Sequence, residues 1–278
     1  MFNIKTLIAE KSSNQNGMPL VMGVLNVTLD SFSDGGRFVT QDQFNQHVVD
    51  MVLSGVDIID IGGESTRPGA TKVGLQEELD RVLPVIEWIA GRYDTPISID
   101  TYKPQVMMEA VSRGAVLIND VNALQAEGAI ECVVDSGATV CLMHKLGEFA
   151  TMQDAPEYQD VVMNVCDFLL ARANLCQQAG MHKNKIILDP GFGFGKTLAH
   201  NSELFENLER LVLLEYPLLV GVSRKRMIGE ILNATAVEDR IVGSVAAAVL
   251  ASLKGASIVR VHDVKATVEA LRVTMHLM

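Results

Sequence analysis

Asp100, Asn119, Asp189 and Lys225 are an unusual set: two carboxylates, an amide and an ammonium, each just after a short apolar run. A carboxylate accepts paired N–H donors in fork geometry, and an amide offers a donor and an acceptor together. With Met143 and Phe194 supplying apolar surface, these groups suit a flat heterocycle with a guanidine-like edge and a carbonyl. Asn26, Arg67, Arg260 and His262 form a second set, suited to an anion or a metal–anion pair. A heteroaromatic headgroup carrying a phosphate or diphosphate satisfies both. A lone Asp or Asn after a strand often only caps the next helix, and Asp100, Asn119 and Asp189 each allow that reading. It does not extend to Lys225, Arg260 and His262, because a helix N-terminus repels cations.

Three motif look-alikes fail on inspection. Gly195-Lys196-Thr197 resembles the end of a phosphate-binding P-loop, but Pro190 stands where the earlier glycine is required. Residues 30–35 imitate a calcium loop, with Phe32 at a ligand position and no closing Glu. Gly191, Gly193 and Gly195 lack dinucleotide-site spacing; they suit a sharp turn or a loop passing close to a flat ligand.

The elements that must position these residues are legible. Apolar runs at 20–25, 56–61, 97–99, 116–118, 139–143, 185–188, 218–220 and 258–261 alternate with amphipathic stretches. Runs so apolar and β-branched suit parallel strands buried on both faces. Between them, Phe44, Val48 and Val52 make one helical stripe, entered by a Thr40/Gln43 capping box. Leu79, Val82, Ile86 and Ile89 make another, kinked at Pro84, and Asp263 caps a last helix with Val264, Val268, Leu271 and Met275 on its inner face. Eight strands alternating with helices predict a single α/β domain, a closed (β/α)8 TIM barrel spanning 1–278. Residues 2–8 are expected to form a short extra hairpin across its bottom. The chemically pointed residues all follow strands, so they converge on the C-terminal rim, where barrels carry function.

Composition narrows the partners. The 278 residues are 48% hydrophobic and 21% charged, enough for a large core. With 23 basic against 34 acidic residues the net charge is −11, which excludes a nucleic-acid or anionic-membrane binder and demands locally concentrated cations for an anionic substrate. The four cysteines have no metal-site or disulfide spacing, and no apolar stretch is long enough to cross a bilayer; the reading is a cytoplasmic enzyme.

In order along the chain stand MGVLNVTLDSFSDGG (22–36), DIGGESTRPGA (60–70), ISIDTYKP (97–104), IND (118–120), LMH (142–144), LDPGFGFGKT (188–197), GVSRKRMIG (221–229) and RVHDV (260–264). Together they resemble the dihydropteroate synthases over essentially the whole chain. The resemblance implies a transferase of folate biosynthesis that joins 7,8-dihydropterin-6-ylmethyl diphosphate to p-aminobenzoate. It implies that Asp100, Asn119, Asp189 and Lys225 hold the pterin, with Met143 and Phe194 against it. Asn26, Arg67, Arg260 and His262 would hold the diphosphate, with Mg²⁺ ligated through Asn26. Thr66, Arg67, Pro68, Phe32, Phe192 and Ser223 would form the p-aminobenzoate pocket, and loops 28–36 and 65–69 would close over it. Asp100, Lys225, Arg260, Arg67 and His262 would carry the chemistry, in which diphosphate leaves before the weakly nucleophilic amine attacks. Leu29 departs from a proline usual in the first loop, which loosens that loop. The family is usually homodimeric, and the small residues of 243–251 allow close helix packing. Two rival readings are a pterin-dependent corrinoid methyltransferase, which has no need of a diphosphate rim, and a non-catalytic pterin-binding paralogue.

Overall fold

The computed structural model describes residues 2–15, 17–27, 33–34, 37–38, 41–65, 71–149, 151–234 and 236–278. Its main sheet is built of β1 (Leu20–Asn26), β2 (Ile58–Gly62), β3 (Ile97–Asp100), β4 (Ala115–Asp120), β5 (Thr139–Met143), β6 (Ile186–Asp189), β7 (Leu219–Val220) and β8 (Ile258–Val261). All neighbours are parallel, in the order β6-β5-β4-β3-β2-β1-β8-β7. A bridge between Leu188 and Leu218 joins the two ends and closes the barrel. The predicted (β/α)8 fold is the observed one.

Strand periodicity explains where polarity appears. Val21, Ile59, Ile61, Ile99, Ile118, Val140, Leu142, Leu188 and Val259 alternate outward and pack with the helices into the outer core. The opposite set, Leu20, Met22, Ile58, Leu117, Cys141, Ile187, Leu219 and Ile258, fills the barrel floor. Two residues further along the same strands stand Asp60, Asn119, Met143, Asp189 and Arg260. The interior therefore changes from apolar to polar toward the C-terminal ends of the strands.

The helices follow the expected stripes. In α2 (Gln41–Leu53) Phe44 and Val48 are buried; Thr40, the proposed cap, lies outside the described residues. In α3 (Leu75–Ala90) Val82, Ile86 and Ile89 face inward, and the helix runs unbroken past Pro84, which stands on its exposed side. The helix α11 (Val264–Leu277) buries Val264, Val268 and Leu271.

Two expectations are corrected. Residues 2–8 do not form a hairpin: α1 (Ile4–Asn14) is a helix, because Asn3 caps it by accepting from the N–H groups of Lys5 (3.0 Å) and Thr6 (3.3 Å). Ile4, Leu7 and Ile8 share one face at helical spacing, and that face plugs the barrel floor. Lys11 fastens the helix to Asp57 at 2.8 Å, whose carboxylate also accepts the Val21 N–H. Asp263 precedes α11 but its side chain does not cap it; the carboxylate instead takes a two-point bond from Arg224, at 3.0 and 2.6 Å.

Candidate active site

The polar layer converges on Arg260 of β8. Its Nε donates to Asp60 of β2 at 2.6 Å and its terminal nitrogen to Asp100 of β3 at 2.7 Å. Asn119 of β4 donates to the same Asp60 oxygen at 3.2 Å. Burial strips Arg260 of water, but Asp60 and Asp100 more than offset this and hold its pKa above the ordinary value. Burial pushes the Asp100 carboxyl up to about 7, against the pull of Arg260 and with added repulsion from Asp60. Asp60 is completely buried, and one of its oxygens has no hydrogen-bond partner among the described residues. It was not among the sequence candidates. The available signal was an ionisable residue inside an apolar strand, two places before the strand's end and so facing inward.

Asp189 and Lys225 complete the layer. The Asp189 carboxylate, raised by burial, accepts the Gly191 N–H at 2.7 Å. Lys225 donates to the Phe192 carbonyl at 2.6 Å and sits 4.8 Å above the Phe194 ring. Burial lowers its pKa to about 8, with Asp189 opposing. Met143 is buried beside Asp189, its register partner. The backbone turns here as only glycine allows: φ is +68° at Gly191 and +64° at Gly195, and a methyl on either would collide with the carbonyls of His144 or Leu146.

In the same segment as Lys225, the Ser223 hydroxyl meets the His262 Nδ1 at 3.1 Å and accepts its backbone N–H at 3.2 Å. Asn26 ends β1 with an exposed side chain, its Oδ1 3.7 Å from the place a methyl on Gly62 would occupy. Arg67, Thr66, Pro68 and Phe32, together with Leu29, lie outside the described residues. The Phe192 ring is fully buried against Phe205, centroids 5.7 Å apart, and its carbonyl accepts from Lys225.

Where the 66–70 segment joins β2, a second charged group was missed. Lys103 pairs with both Glu64 and the buried Glu78, Thr101 donates to Glu78 at 2.7 Å, and Tyr102 donates to Glu64 at 3.1 Å. Glu64 also accepts the Val73 N–H at 3.2 Å, tying together the two ends of that segment.

Residues 22–262 match the family model of the pterin binding enzymes. The chain is 50% identical to the dihydropteroate synthase of Escherichia coli K12, over 96% of this chain and 94% of that protein. The chain belongs to the dihydropteroate synthase family. The corresponding enzyme of Haemophilus influenzae is 49% identical over 92% of this chain and 93% of its own. Among solved structures, the Yersinia pestis dihydropteroate synthase in a sulfonamide drug complex superposes with a TM-score of 0.89 at 51% identity, over 94% of each chain. The Xanthomonas albilineans dihydropteroate synthase in complex with 7,8-dihydropteroate gives 0.85 at 46%, again over 94% of each. The chain is therefore an enzyme of folate biosynthesis that forms 7,8-dihydropteroate from a dihydropterin methyl diphosphate and p-aminobenzoate, and the methyltransferase and non-catalytic readings are not favoured.

Proposed function

We propose that the rim works as two half-sites in this reaction, a ring-binding half of Asp100, Asn119, Asp189, Lys225, Met143 and Phe194, and an anion-binding half of Asn26, Arg67, Arg260 and His262. The observation that carries the division is the inward layer itself. Buried carboxylates and an amide face the barrel axis, with Lys225 held over Phe194, while Asn26 and the Ser223–His262 pair stand on the same rim at the ends of β1, β7 and β8. Asp189 and Asn119 take the N–H edge of the pterin and Lys225 its carbonyl. Arg260 lies between the halves. Its present partners Asp60 and Asp100 fix the guanidinium so that it meets the departing diphosphate with little reorganisation. The ionised Asp100 carboxylate faces the electron-poor pterin-methyl centre left behind, and the amine adds to it last. No nucleophilic side chain is required.

The donor set at Asn26 fits Mg²⁺: one neutral amide oxygen leaves most of the coordination sphere to water and substrate phosphates, as this cation prefers. When bound, the metal supplies positive charge to the leaving diphosphate. Thr66, Arg67, Pro68, Phe32 and Ser223 form the p-aminobenzoate pocket in this reading, and a sulfonamide occupies the same place, supported by the drug complex of the Yersinia relative. The chain works in the cytoplasm as a homodimer. Support for the dimer comes from α10 (Ile241–Leu253), an uncharged helix on the outer ring whose Val242, Ala246, Leu250 and Leu253 are exposed.

The test is diphosphate release by purified protein, with and without p-aminobenzoate. Release above the protein-free rate without the amine supports departure before attack; strict dependence on the amine rejects that order. No release in either case rejects the activity. Chelation of Mg²⁺ should abolish most turnover while leaving a pterin without diphosphate bound; equal loss of both contradicts the two halves.

A further inference from the structure

Lys196 is 3% exposed, in the loop between β6 and α7 (Leu198–Glu206), and the proposed reaction gives it no role. Its ammonium has three N–H donors and three acceptors: His144 Nδ1 at 2.9 Å, the Gly191 carbonyl at 2.9 Å and the Phe194 carbonyl at 3.2 Å. Among the described residues no carboxylate lies within ion-pairing distance of it. A buried ammonium without a carboxylate partner is expensive, and an apolar side chain would pack there at less cost. What the ammonium does instead is join two rim segments. His144 follows β5; Gly191 and Phe194 belong to the turn that leaves β6. Gly191 and Gly195 already lie against the carbonyls of His144 and Leu146, so Lys196 locks a contact the backbone has made.

The same turn is gripped from the site side. Phe192 gives its carbonyl to Lys225, and the Phe194 ring lies under that ammonium. Asn201 accepts the Gly193 N–H at 2.8 Å and Tyr158 donates to the Gly195 carbonyl at 2.8 Å. We infer that Lys196 is a positioning residue for the ring-binding half-site, acting through the 191–194 turn to set Phe194 and Lys225. The inference rests on the two-half reading of the site for its catalytic consequence. The electrostatics agree with the geometry. Burial pulls Lys196 down to about 7, partly offset by Asp189 and reinforced by Lys225, and burial with Lys196 pulls His144 down to about 2. The imidazole therefore stays neutral and remains an acceptor. Phe168 holds its ring edge-on, with centroids 5.0 Å apart.

Lys196→Met keeps the stem and removes the ammonium. Three readouts on this variant separate positioning from general packing. Amide hydrogen exchange at 191–194 should accelerate tenfold or more, with the β-strand amides unchanged. Affinity for a dihydropterin lacking diphosphate should fall at least tenfold, while affinity for inorganic diphosphate with Mg²⁺ stays within twofold. KM for the pterin diphosphate should rise more than KM for p-aminobenzoate. His144→Gln, which retains an acceptor, should lose less than His144→Leu. If Lys196→Met does not fold, Tyr158→Phe loosens the same turn and should shift exchange and pterin affinity in the same direction by a smaller factor. Unchanged exchange at 191–194, or equal losses in both half-sites, overturns the inference. If the wild-type protein binds no pterin, the half-site reading fails; local loosening in the variant then still upholds the clamp on the turn, and its absence rejects it.

Discussion

Asp189 illustrates how one atom count decides a role. Its carboxylate accepts one bond from the Gly191 N–H and, with burial, retains capacity aimed into the site. Asp189→Asn keeps the oxygen that the turn needs but replaces the other acceptor with a donor. The expected loss of pterin affinity is about 1.5–3 kcal/mol with the fold intact, read by titration calorimetry. An unchanged affinity in a folded variant removes Asp189 from the ring-binding set. The pH profile belongs to the same scale. In the proposed reaction Asp100 works ionised, its carboxyl pushed up to about 7 by burial, and Lys225 works protonated, its ammonium pulled down to about 8 by burial. The profile of kcat/KM for the pterin diphosphate should therefore rise through about 7 and fall above about 8, with both limbs belonging to the coupled group of charges. Lys225→Arg should move its share of the falling limb upward, since a guanidinium does not titrate there, while the share of Lys196, pulled down to about 7, stays in place. A profile flat from 6 to 9 on the logarithmic scale (roughly the span of ordinary assays) contradicts this assignment.

Strands carry this site more than helices do, and loops are fixed to them by side chains. The period-2 alternation that buries Ile58 and Leu117 on the barrel floor brings Asp60 and Asn119 to the level of Arg260. Beyond β2, Lys103 holds Glu64 and Glu78 together. Lys103→Met should cost about 3 kcal/mol of stability, because the buried Glu78 carboxyl loses its cation partner. Adding Glu78→Gln should recover part of that cost, and urea unfolding of the single and double variants reads both. Additive losses would show that the pair does not interact. The clamp on the 191–194 turn has its own pH signature. The unfolded chain binds a proton at His144 below about 6.5, whereas the folded chain excludes it down to about 2. Stability from this group is present above about 6.5 and is lost as the pH falls toward that folded value. Unfolding midpoints of His144→Gln should thus fall less steeply on acidification than those of the wild type. Parallel slopes would remove His144 as a contributor.

For the whole molecule, the outer face of α10 is the surface on which the proposed homodimer rests. Val242 is 80% exposed, and Leu250 and Leu253 lie along the same stripe, an apolar surface that a lone barrel leaves in water. Sedimentation should show a dimer at micromolar concentration, and Val242→Glu with Leu250→Glu should give a monomer of unchanged helix content. A wild-type monomer under those conditions rejects the homodimer.

The linear chain already determined the barrel, because eight apolar runs alternating with helical stripes have one economical closure, and every barrel strand is where its run predicts, while the short antiparallel pair Ser33–Asp34 and Arg37–Phe38 was not foreseen. It also determined that polar chemistry gathers at one rim, since six of the eight runs are followed at once by a polar residue. Local capping chemistry was less decisive. Asn3 turned an expected hairpin into a helix, and Asp263 left its cap position for Arg224. Only the tertiary structure decided the partners. Asp60 and Arg260 are 200 residues apart, and their bond exists because barrel closure sets β8 beside β1 and β1 beside β2. Lys196 is likewise unremarkable in sequence beyond a failed P-loop resemblance. Its meaning comes from burial, which leaves its three donors no water and makes His144 and two backbone carbonyls its necessary partners.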